Sequence, residues 1–439
     1  MARKMKDSGI EWIGEIPEWW EIHRMKSCIS ARNSGAWGSD ATGETGNCIC
    51  LRVADFDYER FRFTNSDHLT VRHYPHSIIE KLLLQKGDIL IEKSGGGEKT
   101  PVGRTVLFDK EYPALFANFM DCLRCTDFIL PLYFQYILVT FYKNGYTQNY
   151  IKQTTGIQNL DLTSMLANEF IPIPSLGEQE LIVRYLNTEC SRIDSLLSKT
   201  RSSIEEYKKL KQAVITQAVT KGVRSEREMK DSDIEWIGKI PKEWQISRIK
   251  YISSFEPSCN ASELTPESVI TYSPMECIKN GFFEHRSALY GTLAHTLTPF
   301  QEGDIVMAKV TPCFENGNIA IMENLKSGFG LGSSELFVFR PQHIFARYLF
   351  YWLQNQLFVH RACATMTGTG GLKRISPAFM KNCIVHNPST AEQKEIADYL
   401  DTKCAEIDRL VTKKDQLVKE LESYKKSLIY EVVTGKRKV

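Results

Sequence analysis

Two glycine-rich segments contain the residues whose types could bind a nucleotide phosphate. Residues 93–103 read KSGGGEKTPVG, which has the glycine content of a loop that cradles phosphates. The segment lacks the Gly-Lys-Ser/Thr ending that places a lysine and a metal-binding hydroxyl at the start of a helix. Residues 328–334, GFGLGSS, lack the spacing and the strand–helix context of a dinucleotide site. Neither segment therefore predicts nucleotide chemistry.

Cysteine spacing favours reduced thiols over a metal centre. Cys122 and Cys125 form one CxxC pair, but no second pair with nearby histidines completes a tetrahedral zinc set. Asp55 and Asp57 have the spacing of a loop or edge strand. The sequence contains no Asn/Asp-Pro-Pro-aromatic box, nucleophile elbow or helicase-type acidic box. We therefore predict no catalytic residue, no metal site and no cofactor in this chain.

Composition is that of a folded soluble protein with more than one domain. The 439 residues are too many for one ordinary core, and 42% are hydrophobic and 25% charged. A net charge of +2 argues against a uniformly basic coat but leaves room for local positive surfaces. No apolar run is long enough to cross a bilayer, and the amino terminus lacks a signal-peptide core. We expect a cytoplasmic protein with no membrane partner.

Two stretches of sequence occur twice, and they must position everything between them. Residues 5–20, MKDSGIEWIGEIPEWW, return as MKDSDIEWIGKIPKEW at residues 229–244. PSLGEQELIVRYLNTECSRIDSLL begins at Pro174, and PSTAEQKEIADYLDTKCAEIDRLV begins at Pro388. Two halves thus share their ends but not their middles. The repeated tryptophans Trp12 and Trp236 are predicted to be buried where each middle meets the second repeat.

The second repeat predicts two long helices. A proline and a serine precede each segment, acidic residues follow in the first turn, and glycine and proline are then absent until Gly222 and Gly435. Apolar residues recur at alternating steps of three and four, which is typical of a coiled-coil seam. The predicted seam residues are Ile182, Leu186, Ile193, Leu196, Tyr207, Leu210, Val214, Ile396, Leu400, Ile407, Leu410, Leu417, Leu421, Tyr424 and Leu428. Each helix needs a partner, and the nearest candidate is its own copy.

The middles contain short strand patterns and then an aromatic-rich helix pattern. Gly87 and Asp88 open a strand–loop–strand unit in the first middle, and Gly303 and Asp304 open one in the second. The two middles therefore represent one α+β fold whose sequence has diverged. We predict globular domains over residues 1–172 and 229–386, and long spacer helices over residues 173–228 and 387–439.

With both repeats in place, the chain resembles the specificity subunit of a type I restriction-modification system. The residues that carry the resemblance are SGIEWIGEIPEWWEIHRMK, IPIPSLGEQELIVRYLNTECSRIDSLL and their second copies, and the resemblance covers essentially the whole chain. It implies two target-recognition domains, each reading one block of a split sequence in double-stranded DNA. It also implies that two long antiparallel helices separate these domains, giving a fold with a pseudo-twofold internal repeat.

The resemblance further implies a subunit with no catalytic activity of its own. Two methyltransferase subunits would modify adenine with S-adenosylmethionine, and restriction subunits would cleave DNA with ATP and Mg. The candidate DNA contacts are donor-rich loops that differ between the halves, because arginine and lysine can read guanine, and asparagine and glutamine can read adenine. They are Lys93, Ser94, Gly96, Lys99, Thr100, Arg104, Lys152, Gln153, Thr155, Gln158, Asn159, Lys309, Thr311, Asn316, Thr367, Thr369, Lys373 and Arg374.

A hypothesis from another class also fits the pattern. A coiled-coil scaffold could present two globular modules that bind protein, and the weak net charge is compatible with it. Mapping of modified adenine separates the two hypotheses, because only a DNA reader gives a two-block motif with a fixed internal gap.

Overall fold

The computed structural model describes residues 3–42, 45–64, 68–154, 156–294, 296–369 and 371–439. The chain divides into two compact units, which we call unit 1 (Met1–Arg201 and Asp415–Val439) and unit 2 (Ser202–Lys414). Thr155, one of the predicted DNA contacts, lies outside the described residues.

The first part of the chain contributes 17 strands. They are β1 (Met5–Asp7), β2 (Glu15–Pro17), β3 (Glu21–Arg24), β4 (Ile29–Ser34), β5 (Ser39–Asp40), β6 (Asn47–Leu51), β7 (Phe56–Asp57), β8 (Arg62–Phe63), β9 (Val71–His73), β10 (Ile89–Glu92), β11 (Ser94–Gly95), β12 (Thr105–Leu107), β13 (Ala114–Phe116), β14 (Met120–Cys125), β15 (Ile151–Thr154), β16 (Ile157–Leu160) and β17 (Phe170–Ile173). These counts and those below refer to the described residues.

The second part contributes 14 strands. They are β18 (Met229–Asp231), β19 (Lys239–Pro241), β20 (Gln245–Arg248), β21 (Ser253–Phe255), β22 (Val269–Ser273), β23 (Ile278–Lys279), β24 (Phe282–Phe283), β25 (Arg286–Leu289), β26 (Thr298–Gln301), β27 (Ile305–Ala308), β28 (Ile319–Ile321), β29 (Phe329–Gly332), β30 (Leu336–Pro341) and β31 (Ile384–Asn387). The α-helices are α1 (His76–Leu82), α2 (Pro131–Lys143), α3 (Leu162–Asn168), α4 (Leu176–Lys221), α5 (Ile249–Ile252), α6 (Ala346–Trp352), α7 (Gln356–Ala364), α8 (Pro377–Asn382) and α9 (Thr390–Val433).

Each unit contains two four-stranded sheets. One sheet is antiparallel and has the order β12-β10-β14-β4 in unit 1 and β28-β27-β30-β21 in unit 2. The other has the order β13-β6-β9-β5 in unit 1 and β26-β29-β22-β25 in unit 2. In both units this second sheet holds one parallel pair, β6 with β13 and β22 with β29. The predicted α+β fold, repeated with divergence, is therefore confirmed.

The repeated Gly-Asp-Ile tripeptides place a buried aspartate before the central strand of the first sheet. Asp88 accepts two hydrogen bonds from Arg124, at 2.7 and 2.8 Å, and one from the backbone of Gln85 at 2.8 Å. Asp304 does the same with Arg340, at 2.8 and 2.8 Å, and with the backbone of Gln301. A buried carboxylate is costly unless it is paired and hydrogen-bonded. These contacts therefore stabilise the turn that precedes the central strand in each unit.

The long helices α4 and α9 pack antiparallel within each unit. In unit 1, Asp194 pairs with Lys425 and Arg201 pairs with Glu422, so the partner number falls as the residue number rises. In unit 2, the Lys414 ammonium lies 5.7 Å from the ring centre of Tyr207 and Lys211 pairs with Asp408, so the partner number again falls as the residue number rises. The prediction that each helix pairs with its own copy is confirmed.

The packed face of both helices differs from the predicted seam at five of the 15 predicted positions. Five of the predicted seam residues are exposed, and for these five the seam prediction is wrong; they are Leu196, Leu210, Leu410, Leu417 and Tyr424. The next residue along the chain turns inward in each case, and these residues are Leu197, Lys211, Val411, Val418 and Lys425. From Leu186 onward, successive packed positions are separated by four residues and then by three. Because one residue turns an α-helix by about 100°, a shift of one residue is enough to move a side chain off the packed face.

The other predicted seam residues lie on the packed face. Ile182, Leu186, Ile193, Ile396, Leu400, Ile407 and Leu428 are buried, and Tyr207, Val214 and Leu421 are half-buried. Ten of the 15 predicted seam residues are therefore at least half-buried.

A buried glutamine joins the start of each long helix to the aromatic helix of its unit. Gln179 accepts a hydrogen bond from the backbone of Leu130 at 2.8 Å, directly before α2. Gln393 accepts one from the backbone of Phe345 at 2.7 Å, directly before α6. The sequence repeat thus fixes the angle between each long helix and the globular part of its unit.

A buried tyrosine ties each aromatic helix to the end of the opposite long helix in its unit. The Tyr133 hydroxyl donates toward the carbonyls of Pro172 and Val433, at 2.9 and 3.1 Å. The Tyr348 hydroxyl lies 3.2 Å from the carbonyl of His386 and 3.4 Å from that of Val219. The last carbonyls of a helix lack partners inside the helix, so these hydroxyls stabilise the helix ends.

The repeated tryptophan segment lies at the same joint. Trp12 is buried and packs edge-on against Phe141 of α2, with ring centroids 5.6 Å apart, while its carbonyl accepts a hydrogen bond from Tyr430 of α9. Trp20 and Trp244 are fully buried, and Trp236 is half-buried. Within unit 1, the segment therefore seals the globular part against the long helices.

Candidate nucleic-acid interface

The structure brings the two predicted contact loops of unit 1 together in one three-stranded sheet, β11-β16-β15. Ser94 lies opposite Asn159, and the Ser94 hydroxyl donates a hydrogen bond to Asn159 Oδ1 at 2.7 Å. Lys152 lies opposite Asn159 on the other side. Residues separated by some 60 positions in the sequence thus form one surface.

The corresponding loops of unit 2 also meet. Val310 and Thr367 each form a β-bridge with Arg374, which places Arg374 between two segments of backbone. The Thr311 hydroxyl, which is buried, donates to the carbonyl of Gly371 at 3.0 Å and accepts from the backbone of Lys373 at 2.9 Å. Thr311 therefore holds this loop in place and does not face solvent as predicted.

Backbone hydrogen bonds show which residues of the two units correspond. The Lys93 carbonyl accepts from Leu160 in unit 1, and the Lys309 carbonyl accepts from Ile375 in unit 2. The residue that directly precedes the donor is Asn159 in unit 1 and Arg374 in unit 2. One position of the fold thus carries an asparagine in unit 1 and an arginine in unit 2.

The turn that faces this position, between β13 and β14 in unit 1 and between β29 and β30 in unit 2, also differs between the units. The Lys93 amide donates to the carbonyl of Phe119, and the Lys309 amide donates to that of Glu335. Phe119 is 50% exposed, whereas Glu335 forms an ion pair with Arg374 at 2.8 Å. Sequence reasoning missed both residues. The constant spacing from the repeated Gly-Asp-Ile tripeptides could have aligned them, although it could not have shown the ion pair.

Several predicted donors of unit 1 are occupied inside the protein. Gln158 is 7% exposed, and its side-chain oxygen accepts from the backbone of Val102 at 3.3 Å. Arg104 donates twice to Glu92 and lies over the ring of Tyr58 at 3.6 Å. The prediction that Gln158 and Arg104 are available surface donors is therefore wrong, because Gln158 is buried and the half-buried Arg104 is paired with Glu92.

Lys93 forms part of a charged cluster beneath the sheet. Its ammonium lies 2.7 Å from Asp121, which also accepts from Ser34 and Arg32. Burial opposes the charged form of Asp121, yet the hydrogen bonds from Lys93, Ser34 and Arg32 hold its pKa below the ordinary value. Asp121 therefore remains charged and neutralises part of the positive charge of this surface.

The remaining candidates of unit 1 reach solvent. Lys99, Thr100, Lys152, Gln153 and Asn159 are exposed. The Lys152 ammonium lies 2.7 Å from Asp161, and this hydrogen bond, together with those from Ser164, lowers the pKa of Asp161 to about 2. Gly96 has a φ of +24°, and a Cβ there would lie 2.8 Å from Val102, so its role is to let the loop close.

In unit 2, Thr367, Thr369, Lys373 and Arg374 are exposed on one loop. Lys309 is half-buried and lies 5.7 Å from the ring centre of Phe337. Asn316 instead lines a cavity of about 270 Å³ with Gln212, Val359 and His360. The exposed donors of unit 2 therefore cluster around Arg374.

The described residues offer neither a metal centre nor a membrane span. No group of three histidine, cysteine or carboxylate side chains in them is arranged to hold a metal ion. No helix among them combines the length and apolar character needed to cross a membrane.

The repeated fold and its two corresponding loop clusters define a tandem protein with one candidate interface in each unit. A family model described as the type I restriction modification DNA specificity domain matches residues 65–206 and 241–420, more than half of the chain. The chain belongs to this family, and the resemblance drawn from the repeats is confirmed.

Curated relatives agree with this assignment. The EcoEI specificity subunit of Escherichia coli is 30% identical over 163 residues, which are 36% of this chain and 27% of that protein. The matched segment thus spans about a quarter of the length of that relative. The putative MjaX specificity subunit of Methanocaldococcus jannaschii is 24% identical over 97% of this chain and 96% of its own length.

Solved structures share the fold. A chain from a structure of complex assembly and conformational transition in a type I R-M system superposes with a TM-score of 0.70 and 14% identity, covering 95% of this chain and 98% of that one. The HsdS subunit from Thermoanaerobacter tengcongensis superposes with a TM-score of 0.52 and 12% identity, covering 96% and 98%.

Proposed function

We propose that this chain is the DNA-recognition subunit of a type I restriction-modification complex and that each unit reads one half of a bipartite DNA site. The long helices set the gap between the half-sites and dock two methyltransferase subunits. Those subunits modify adenine with S-adenosylmethionine, and restriction subunits use ATP and Mg to cleave DNA. The chain contributes recognition and no reaction step.

The observation that carries the proposal is one position of the repeated fold with two different side chains, Asn159 and Arg374. Readers of different half-sites must differ in their base-contacting side chains, while the scaffold that presents them need not differ. Asparagine suits adenine and arginine suits guanine. This position therefore differs between the units in the way that reading two different half-sites requires.

The helices support the proposed spacer role. Helix α4 has 46 residues and α9 has 44, so they are about 69 and 66 Å long at 1.5 Å per residue. DNA readers place half-sites about one helical turn (~34 Å) or a multiple apart. Helices of this length are long enough to span such a distance.

The exposed leucines of the helices support the proposed docking role. Leu196 and Leu410 are 45% and 40% exposed, and they occupy the same position of the repeat. Leu210 and Tyr424 form a second such pair, 48% and 46% exposed. Exposed apolar side chains that recur in both copies provide two equivalent contact surfaces for two copies of one subunit.

Co-expression with the partner methyltransferase, followed by single-molecule mapping of modified adenine, tests the proposal. We expect a two-block motif with a fixed gap. An unsplit motif, or no modification when the methyltransferase co-purifies, contradicts the proposal and favours a protein-binding scaffold. Replacing residues 30–170 with the first domain of another family member should change one block and leave the other block and the gap intact.

A further inference from the structure

Arg374 is held by Glu335 through only one edge of its guanidinium. Nε donates to Oε2 at 2.9 Å, and Nη2 donates to Oε1 at 2.8 Å. A guanidinium carries five N–H donors in one plane, so this pairing fixes the plane and leaves the Nη1 side available. The described residues provide no hydrogen-bond acceptor for Nη1.

The backbone around this pair is equally constrained. Arg374 and Thr367 exchange backbone hydrogen bonds of 2.8 and 3.1 Å. The Lys309 carbonyl accepts from Ile375 at 3.0 Å, and the Lys309 amide donates to the carbonyl of Glu335 at 3.0 Å. Lys309 thus connects the segment of Arg374 to the turn of Glu335, and both partners are oriented before any ligand arrives.

The charge of the pair distinguishes between two kinds of DNA contact. An arginine that contacts phosphate gains from its net positive charge, and a neighbouring carboxylate weakens that attraction. An arginine that reads guanine gains from correct orientation toward the O6 and N7 acceptors. Glu335 cancels the charge and supplies orientation, while Lys373 on the same loop remains exposed for a phosphate.

We propose that Arg374 reads one guanine of the DNA site through the guanidinium edge that faces away from Glu335, and that Glu335 is the positioning residue for this contact. The inference rests on the proposed function and adds a base identity to the block that unit 2 reads. Unit 1 has Asn159 and Phe119 at the corresponding positions, so it lacks this pair and reads its own block without it.

The first test uses the complex with its methyltransferase and maps modified adenine for Arg374→Ala, Arg374→Lys, Glu335→Ala and Glu335→Asp. Arg374→Ala should make one G·C position degenerate in one block, with discrimination reduced roughly 5- to 150-fold. Glu335→Ala should relax the same position, and Glu335→Asp should restore much of the selectivity. The other block and the gap should not change. Arg286→Ala, which breaks another exposed arginine–glutamate pair of unit 2, should leave the motif unaltered.

The second test measures DNA binding on the mapped site with 7-deazaguanine at that position. This base lacks N7, so the wild-type complex should lose affinity, whereas the Arg374→Ala complex should bind both duplexes equally. Equal weakening by Arg374→Ala on all sequences would make it a phosphate contact and overturn the inference. Relaxation by Arg374→Ala but none by Glu335→Ala would remove the positioning role. An unsplit wild-type motif would instead contradict the proposed function itself.

Discussion

Lys425 and Asp194 form an ion pair of 2.6 Å inside unit 1, and the side chains are only 9% and 14% exposed. Lys211 and Asp408 form the equivalent pair in unit 2 at 2.7 Å, but Asp408 is 56% exposed. The two aspartates are 214 residues apart, as are the two lysines, so the helix repeat places one lysine and one aspartate in each unit. A polar pair in a coiled-coil seam fixes register at some expense of stability.

Lys425→Met should destabilise the protein by about 3 kcal/mol, because it leaves a largely buried carboxylate without its partner. Lys425 also donates to the carbonyl of Glu59 at 2.7 Å, and that bond is lost as well. Urea unfolding measures the change in free energy. Lys211→Met is the matched control and should cost at most about 1 kcal/mol, since its partner is exposed. Equal losses would show that burial does not set the strength of these pairs.

Leu197→Ala should cost about 2–5 kcal/mol, because it opens a cavity in the packed face of α4. Leu197 is 5% exposed, whereas its neighbour Leu196 is 45% exposed. Leu196→Ala is therefore the control and should change stability by no more than about 0.5 kcal/mol. Thermal and urea unfolding of the two variants show which leucine lies on the packed face. A larger loss of stability in Leu196→Ala than in Leu197→Ala would support the seam predicted from sequence.

His386 should make the protein less stable as the pH falls below neutrality. It is 1% exposed, its Nδ1 donates to the carbonyl of Val219 at 3.0 Å, and burial lowers its pKa from 6.5 to about 4. Between these two values the unfolded chain binds the proton and the folded chain does not, so stability falls with pH. We expect a loss of about 2 kcal/mol between pH 7 and pH 5 from this group.

His386→Asn provides the control for that pH dependence, because asparagine keeps an N–H donor near Val219 but does not titrate. Urea unfolding at pH 7 and pH 5 should show a smaller pH effect in the variant than in the wild type. The same slope in both proteins would contradict the assignment of this proton to His386.

A seven-residue insertion in each long helix should lengthen the gap of the DNA motif. Seven residues preserve the heptad register and add about 10 Å of helix, which equals roughly three base pairs at 3.4 Å each. The insertions belong after Arg201 in α4 and after Lys414 in α9, where the chain passes between the units. Mapping of modified adenine reads the gap directly. A four-residue insertion in α4 alone breaks the register and should abolish modification, and an unchanged gap in the paired variant would refute the spacer role.

The repeats alone predicted the two long helices, their pairing and the doubled α+β fold, because repeated caps and periodic apolar residues are local signals. Local sequence signals did not determine which face of each long helix is packed. Leu196 and Leu197 are both apolar, as are Leu410 and Val411. A seam through the first residue of each pair therefore fits the sequence as well as a seam through the second. Only the partner helix and the globular part of each unit decide which residue is covered.

The candidate interface was predictable as a set of loops but not as a set of available donors. Gln158 and Arg104 occur in segments rich in polar and glycine residues, which is the usual pattern of a surface. Their partners Val102 and Glu92 come from a neighbouring loop and strand, and only the fold shows that these contacts occupy their side chains. Glu335 was missed for the same reason, since its partner is 39 residues away.

The division of the chain into units has a consequence for the order in which the protein is synthesised. Unit 2 is continuous from Ser202 to Lys414, whereas unit 1 also requires residues from Asp415 onward. Leu428, Val432 and Val433 lie in the same core as Trp12 and Trp20. Domains generally fold as units while the chain emerges from the ribosome. Unit 1 is begun first, but it is completed only after all residues of unit 2 have been synthesised.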